Sequence, residues 1–173
     1  MAFIVVIIPI HKRLIIPAPY NEINILDKQL AQKLDAYDRH HILDNHLTLN
    51  WYPKRVGAMA TGNSMLELGL GHGFSAKYFS ELFDRYVVVD GSQKMIDRFR
   101  GEFSVENMEI ICSYFEVFST AERFSSIGMG FVLEHVDEPA PILERFAGFL
   151  APGGSIYIAV PNAESLHRRL GHA

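Results

Sequence analysis

Along residues 65–160 two kinds of hydrophobic pattern take turns. Short apolar runs of strand length occur at Met65-Leu66-Glu67-Leu68, Tyr86-Val87-Val88-Val89, 108–112, 126–132 and 155–160. The uninterrupted run ending in Val89 is the pattern of a strand covered on both faces. Between the runs, apolar positions recur at helical spacing. Residues 75–83 put Tyr78, Phe79 and Leu82 on one side. Ser92 can cap a helix through about residue 103 whose inner face is Met95, Ile96 and Phe99. Residues 140–150 carry Ile142, Leu143, Phe146 and Phe149, and Ala151-Pro152-Gly153-Gly154 reads as a turn before the last strand. Strands alternating with amphipathic helices predict an α/β fold, a doubly wound, mainly parallel sheet with helices on both faces.

Upstream the pattern differs. Residues 1–16 are β-branched and punctuated by Pro9 and Pro17, as in an extended arm, and 17–22 is a breaker segment. Residues 23–41 show helical spacing, and a weaker helical stretch runs over 42–60, interrupted by Pro53. Thr61-Gly62-Asn63-Ser64 is a turn, and a short helical stretch covers 163–170. The expected division is an extended arm at 1–22, a helical cap at 23–60 and a Rossmann-like domain at 61–173. The opening run MAFIVVIIPI is too short for a bilayer span, which needs roughly 18 apolar residues. Its charges, His11-Lys12-Arg13, follow the apolar run instead of preceding it, unlike a secretory signal. Neither a secretory nor a membrane role is expected.

Composition narrows the classes. With 173 residues, 49% apolar and 21% charged, the chain can bury a core of its own as one domain. A formal net charge of −4 gives no global pull toward nucleic acid or anionic membrane. Cys112 is the single cysteine, so no internal disulfide forms and a cysteine-rich zinc site is excluded; a reducing cytoplasm fits. His40 and His41 are adjacent, so on a helix they diverge by about 100° and cannot easily share an ion with His46. No metal is expected.

The chemistry concentrates in Glu67-Leu68-Gly69-Leu70-Gly71-His72-Gly73, where a strand hands over to a helix. Glycine there permits backbone angles closed to other residues and lets a ligand approach the main chain. The following helix offers free N–H groups and a partial positive charge. A dinucleotide fingerprint needs a third glycine where this chain has Phe74. A pyrophosphate would also meet like charge at Glu67, whereas an ammonium group would be attracted. A strand–helix turn without a ligand is the alternative.

LELGLGHGF (67 within it) resembles the first motif of class I S-adenosylmethionine-dependent methyltransferases of small-molecule type. Asp90 after the VVV run, FVLEHVDEP at 131–139 and LAPGGSIYIAVPN at 150–162 resemble later motifs of that family, in order. VPNAESLHRRLG at 160–171 looks like a subgroup with saccharide-pathway or other small-molecule members. The resemblance implies S-adenosylmethionine as cofactor. Gly69, Gly71 and Gly73 would frame its methionine part, with Glu67 near the amino group. Asp90 would hold the ribose, beside Gly91 and Ser92. Ser113, Tyr114 and Phe115 would lie along the adenine, and Phe131 would also border the cofactor. The chain departs from the family with Ser113 where an acidic residue is common, Glu116 being a shifted substitute, and with Ser125 where Asp often follows Phe. His135 is the positional candidate for a general base, with a structural role for Glu134-His135 as the alternative. His167, Arg168 and Arg169 could meet an anionic substrate, and Tyr20, Tyr37 and Trp51 are available to shape the substrate site.

The implied function is methyl transfer to a small-molecule acceptor, of saccharide or quinone pathways, without nucleic acid or membrane as partner. The rivals are a non-catalytic or truncated S-adenosylmethionine-binding domain and an NAD-dependent oxidoreductase. Family members continue to sheet order 3-2-1-4-5-7-6, but 13 residues follow Val160 here. The expected sheet is therefore 3-2-1-4-5, lacking the final two strands and leaving the fifth at an open edge. The apolar arm at residues 3–8, from this chain or a neighbour's, could cover that edge, and a homodimer through edge or arm is an expected partner.

Overall fold

The computed structural model describes residues 3–9, 42–71 and 73–161. The elements in chain order are β1 (Phe3–Pro9), α1 (Ile42–Met59), β2 (Ser64–Leu68), α2 (Phe74–Leu82), β3 (Arg85–Asp90), α3 (Gln93–Glu102), β4 (Met108–Cys112), β5 (Phe124–Gly130), a 3-10 turn (Leu133–His135), α4 (Pro139–Ala147) and β6 (Leu150–Pro161). The helical stretches expected at 23–41 and 163–170, Tyr20, Tyr37, and the basic cluster at His167, Arg168 and Arg169 lie outside the described residues.

One six-stranded sheet runs in the order β1-β6-β5-β2-β3-β4. From β2 to β6 every neighbouring pair is parallel, which gives the expected 3-2-1-4-5 order when β2 is counted as the first parallel strand. β1 is added outside β6 and runs antiparallel to it, from Phe3 opposite Pro161 to Pro9 opposite Ser155. The outer edge of the fifth parallel strand is thus covered by this chain's own arm.

Side chains alternate across the sheet with period two. Met65, Tyr86, Val88, Tyr157 and Ala159 face a cluster completed by Tyr52 and Val56 of α1, Phe79 of α2, and Ile96 and Phe99 of α3. Leu66, Leu68, Val87, Val89, Ile127, Met129, Ile156 and Ile158 face the other way, against Ile142 and Phe146 of α4. Gly57 lets α1 approach α2, since a Cβ there would stand 2.7 Å from the Tyr78 ring.

Three boundaries differ from the sequence reading. α1 runs through Pro53 without interruption. Proline removes one i→i−4 bond and crowds the preceding turn, but Tyr52 and Val56, on either side of it, are fully packed in the core. The turn at 151–154 is absorbed into β6 as a bulge, in which five residues of β6 advance against two of β5. Phe124 pairs with Leu150 before it and Ser126 with Ser155 after it, so pairing on both sides keeps the segment in the sheet. β5 ends at Gly130 instead of Val132, because Phe131 turns into the left-handed region at φ 57°.

Candidate functional site

β2 lies between β3 and β5, so the chain winds to one side through β3 and β4 and then crosses to the other through β5 and β6. The carboxyl ends of β2 and β5 therefore flank a topological switch point, where open α/β sheets leave a crevice. Asp90 is the last residue of β3, and the glycine loop, Ser113 and Phe131 follow the carboxyl ends of β2, β4 and β5.

The three loop glycines all have positive φ, 81° at Gly69, 52° at Gly71 and 73° at Gly73. Their surroundings differ. A Cβ on Gly69 would stand 2.8 Å from Val132, and one on Gly73 would stand 2.5 Å from the Phe99 ring. Those two glycines admit neighbouring elements. A Cβ on Gly71 would meet nothing within 4 Å among the described residues, so its face is left open by them. The loop is pinned by the Gly69 amide, which donates to the Val89 carbonyl at 2.8 Å, and by the Gly73 amide, which donates to Leu70 O at 2.9 Å. Gly73 then caps α2 from the left-handed region.

Asp90 ties the loops together. Its Oδ2 accepts the Leu70 amide at 2.7 Å and its Oδ1 the Ser92 amide at 2.8 Å. Its carbonyl accepts the Ser113 amide at 3.0 Å. A carboxylate offers about four acceptor positions, so two remain after these bonds. Burial raises the Asp90 pKa, and the two amides oppose that rise. Gly91 is half-buried. The Ser92 hydroxyl caps α3 by accepting the Met95 amide at 3.3 Å.

Glu67 points to the α1–α2 face and is 3% exposed. The Tyr86 hydroxyl donates to its Oε2. Loss of water pushes its pKa up to about 7, against the lowering effect of hydrogen bonds from Tyr86 and Ser75. The carboxyl is thus poised between its neutral and charged forms near neutral pH.

The remaining positions are less tightly gathered. Ser113 and Tyr114 are half-buried after β4, with the Ser113 hydroxyl donating to Tyr114 O at 3.0 Å. Phe115 turns its ring edge onto Phe146 at 6.3 Å, which places it against α4. Phe131 is buried, donates its amide to Ala159 O at 2.8 Å, and meets the Tyr52 ring at 6.2 Å. His135 sits exposed at the end of the 3-10 turn, its pKa lowered by partial loss of water. Val132, in van der Waals reach of Gly69, sets this post-β5 segment beside the glycine loop. Trp51 is 39% exposed, whereas its neighbour Tyr52 is 3% exposed. The sequence reading passed over Ser75 and Tyr86 as hydrogen-bond partners of Glu67, and over Tyr52, whose phenol feels the Glu67 charge. The signal for Tyr52 was Gly128 and Gly130 in one strand, since glycine inside a strand marks a close approach.

The family model described as a methyltransferase domain matches residues 35–173. A ubiquinone biosynthesis O-methyltransferase of Bradyrhizobium sp. (strain ORS 278) is 30% identical over 104 residues, 59% of this chain and 41% of that protein. The chain thus spans about two fifths of the length of that curated relative. Among solved structures, a DhpI–SAM–HEP complex superposes with a TM-score of 0.68 at 22% identity, covering 88% of this chain and 72% of that one. The plantazolicin methyltransferase BpumL, bound to a triazolic desmethylPZN analog and SAH, gives 0.62 at 21%, covering 85% and 58%. The N-methyltransferase NodS from Bradyrhizobium japonicum WM9, in complex with SAH, gives 0.56 at 20%, covering 74% and 69%. At these identities the structural likeness is one of fold.

Proposed function

The chain belongs to the methyltransferase-domain family, and from that premise we propose that it binds S-adenosylmethionine at the carboxyl edge of its sheet and methylates a small-molecule acceptor. The observation that carries this reading is the loop itself. Among the described residues, Gly71 has an open face where a Cβ would meet nothing, in the same loop as Leu70, whose amide binds a buried Asp90 carboxylate with two acceptor positions to spare. A ribose presents two hydroxyl donors, which suits those positions, while Glu67 suits an ammonium group. The residues present therefore fit the cofactor. Gly69, Gly71 and Gly73 would frame its methionine part, Asp90 with Gly91 and Ser92 its ribose, and Ser113 and Tyr114 its adenine. Phe131 would close the site from the post-β5 turn. Phe115, turned onto α4, would contribute through packing.

When bound, the cofactor supplies a methyl group already activated by its sulfonium. The protein's own task is then to bring an acceptor into line and exclude water. His135 would take a proton from an acceptor hydroxyl or amine at a ring nitrogen; its lowered pKa keeps the imidazole neutral and able to do so at pH 7. The name of the curated relative supports a quinone-pathway acceptor bearing a hydroxyl. Cofactor binding without transfer is the second reading, favoured by the chain's span of 41% of that relative. An acceptor panel of polyphenols and sugars separates the two.

Calorimetric titration tests the binding. S-adenosylmethionine and S-adenosylhomocysteine are each expected to bind, and Asp90→Ala to weaken binding at least tenfold, since hydrogen bonds to a charged group contribute about 1.5–3 kcal/mol each. Absence of binding by either ligand ends the proposal. Unchanged affinity in the variant removes Asp90 from the site.

A further inference from the structure

Among the described residues, the Tyr52 hydroxyl is the buried side-chain polar atom left without a hydrogen-bond partner. Its ring is fixed with care. Phe79 meets it edge-on at 6.0 Å and Phe131 at 6.2 Å. The ring lies in a slot made by two missing side chains of β5. A Cβ on Gly130 would stand 2.6 Å from its Cε1, and a Cβ on Gly128 would stand 2.6 Å from the hydroxyl oxygen. Gly128 is the register partner of Glu67 on β2, and the same Cβ point lies 3.8 Å from Glu67 Cγ. The slot thus delivers the hydroxyl to the level of the Glu67 carboxyl. Burial, reinforced by the nearby Glu67 charge, holds the phenol in its neutral form.

A phenylalanine would fill this slot equally well if packing were all that mattered. A buried hydroxyl without a partner is costly to keep, so its partner arrives from outside the chain. The oxygen is available as an acceptor beside an acidic group, which is the chemistry that receives a cation with N–H donors. Building on the cofactor reading above, we propose that Tyr52 is a binding residue of the cofactor site. Its hydroxyl oxygen joins the Glu67 carboxylate in holding the ammonium group of the ligand's amino-acid portion, directly or through one water. Helix α1 thereby forms part of the cofactor site.

The test compares S-adenosylhomocysteine with 5′-methylthioadenosine, which shares the nucleoside but lacks the amino-acid portion, on the full chain by calorimetry. Tyr52→Phe keeps the ring and removes the oxygen. It is expected to lose about tenfold in affinity for S-adenosylhomocysteine and to keep its affinity for 5′-methylthioadenosine within about twofold. Gly128→Ala, which crowds the hydroxyl out of its place, is expected to show the same split and serves if the first variant fails to fold. Equal affinity of Tyr52→Phe and wild type for S-adenosylhomocysteine overturns the inference while leaving the cofactor reading intact. An equal loss for both ligands also overturns it, because a purely structural role acts on the whole pocket. Wild type binding neither ligand overturns the cofactor reading and this inference together.

Discussion

Glu67 shows how a single buried acid can set the behaviour of a site. Its pKa in the folded chain is about 7, above its ordinary 4.5. The unfolded chain gives up this proton near pH 4.5, and the folded one keeps it until about 7. The carboxyl's favourable share of stability is therefore complete below pH 4.5 and is lost as pH rises through 7. A shift of this size corresponds to roughly 3 kcal/mol. Glu67→Gln cannot ionise, so its stability relative to wild type is expected to increase by about that amount between pH 4.5 and pH 8, read from urea midpoints. A pH-independent difference would show that Glu67 is ordinary. Asp90, whose pKa is also raised, adds a trend of the same sign in both proteins and cancels in the comparison. The same acid makes a second prediction. An ammonium ligand favours the ionised carboxylate, so affinity for S-adenosylhomocysteine should climb from pH 6 to pH 8. At pH 6.5 binding should release protons, visible as a dependence of the binding heat on the buffer's ionisation enthalpy.

At the scale of elements, α1 holds a proline in its interior at Pro53. Proline is about 3 kcal/mol less favourable than alanine there, and part of that is returned because it restricts the unfolded chain. Pro53→Ala is expected to raise stability by about 2 kcal/mol, measured by thermal or urea unfolding. A loss would mean that Pro53 is needed to seat Tyr52. The order of strands and helices was legible because each run had a clear period and a clear stop. The continuous Tyr86–Val89 run and the cap at Ser92 are local signals and needed no tertiary information. The glycine loop and Asp90 were legible for the same reason, as they are consecutive with a strand end. What escaped was set by contacts distant in sequence. Pro53 argues locally against a helix, and only burial of Tyr52 and Val56 overrides it. Pro152 and Gly153 argue locally for a turn, and only pairing with β5 keeps them in β6. Nothing in FVLEHV announces that Phe131 adopts φ 57°, a strain worth about 1–3 kcal/mol that the bond to Ala159 and burial of the ring hold in place. Tyr52 joins the site from a helix preceding β2, and its sole trace in the sequence is a pair of glycines more than seventy residues later.

For the whole molecule, the sheet is completed by its own first described strand. β1 covers β6 from Ser155 to Pro161, so β6 is an inner strand and β1 becomes the outermost one on that side. Removing residues 1–9 is expected to expose the β6 edge and to increase concentration-dependent association, followed by light scattering against the full chain. Identical scattering at all concentrations would show that β1 protects nothing.

That pairing also constrains the order in which the molecule can be made. Phe3 finds its partner at Pro161, a contact across almost the whole described chain. Such distant pairings are slow to form. On the ribosome, β1 must wait as an unpaired apolar strand until β6 has been synthesised, and at about 5–20 residues per second that wait lasts many seconds. An apolar strand without its pairing partner is thus carried by the nascent chain for that interval.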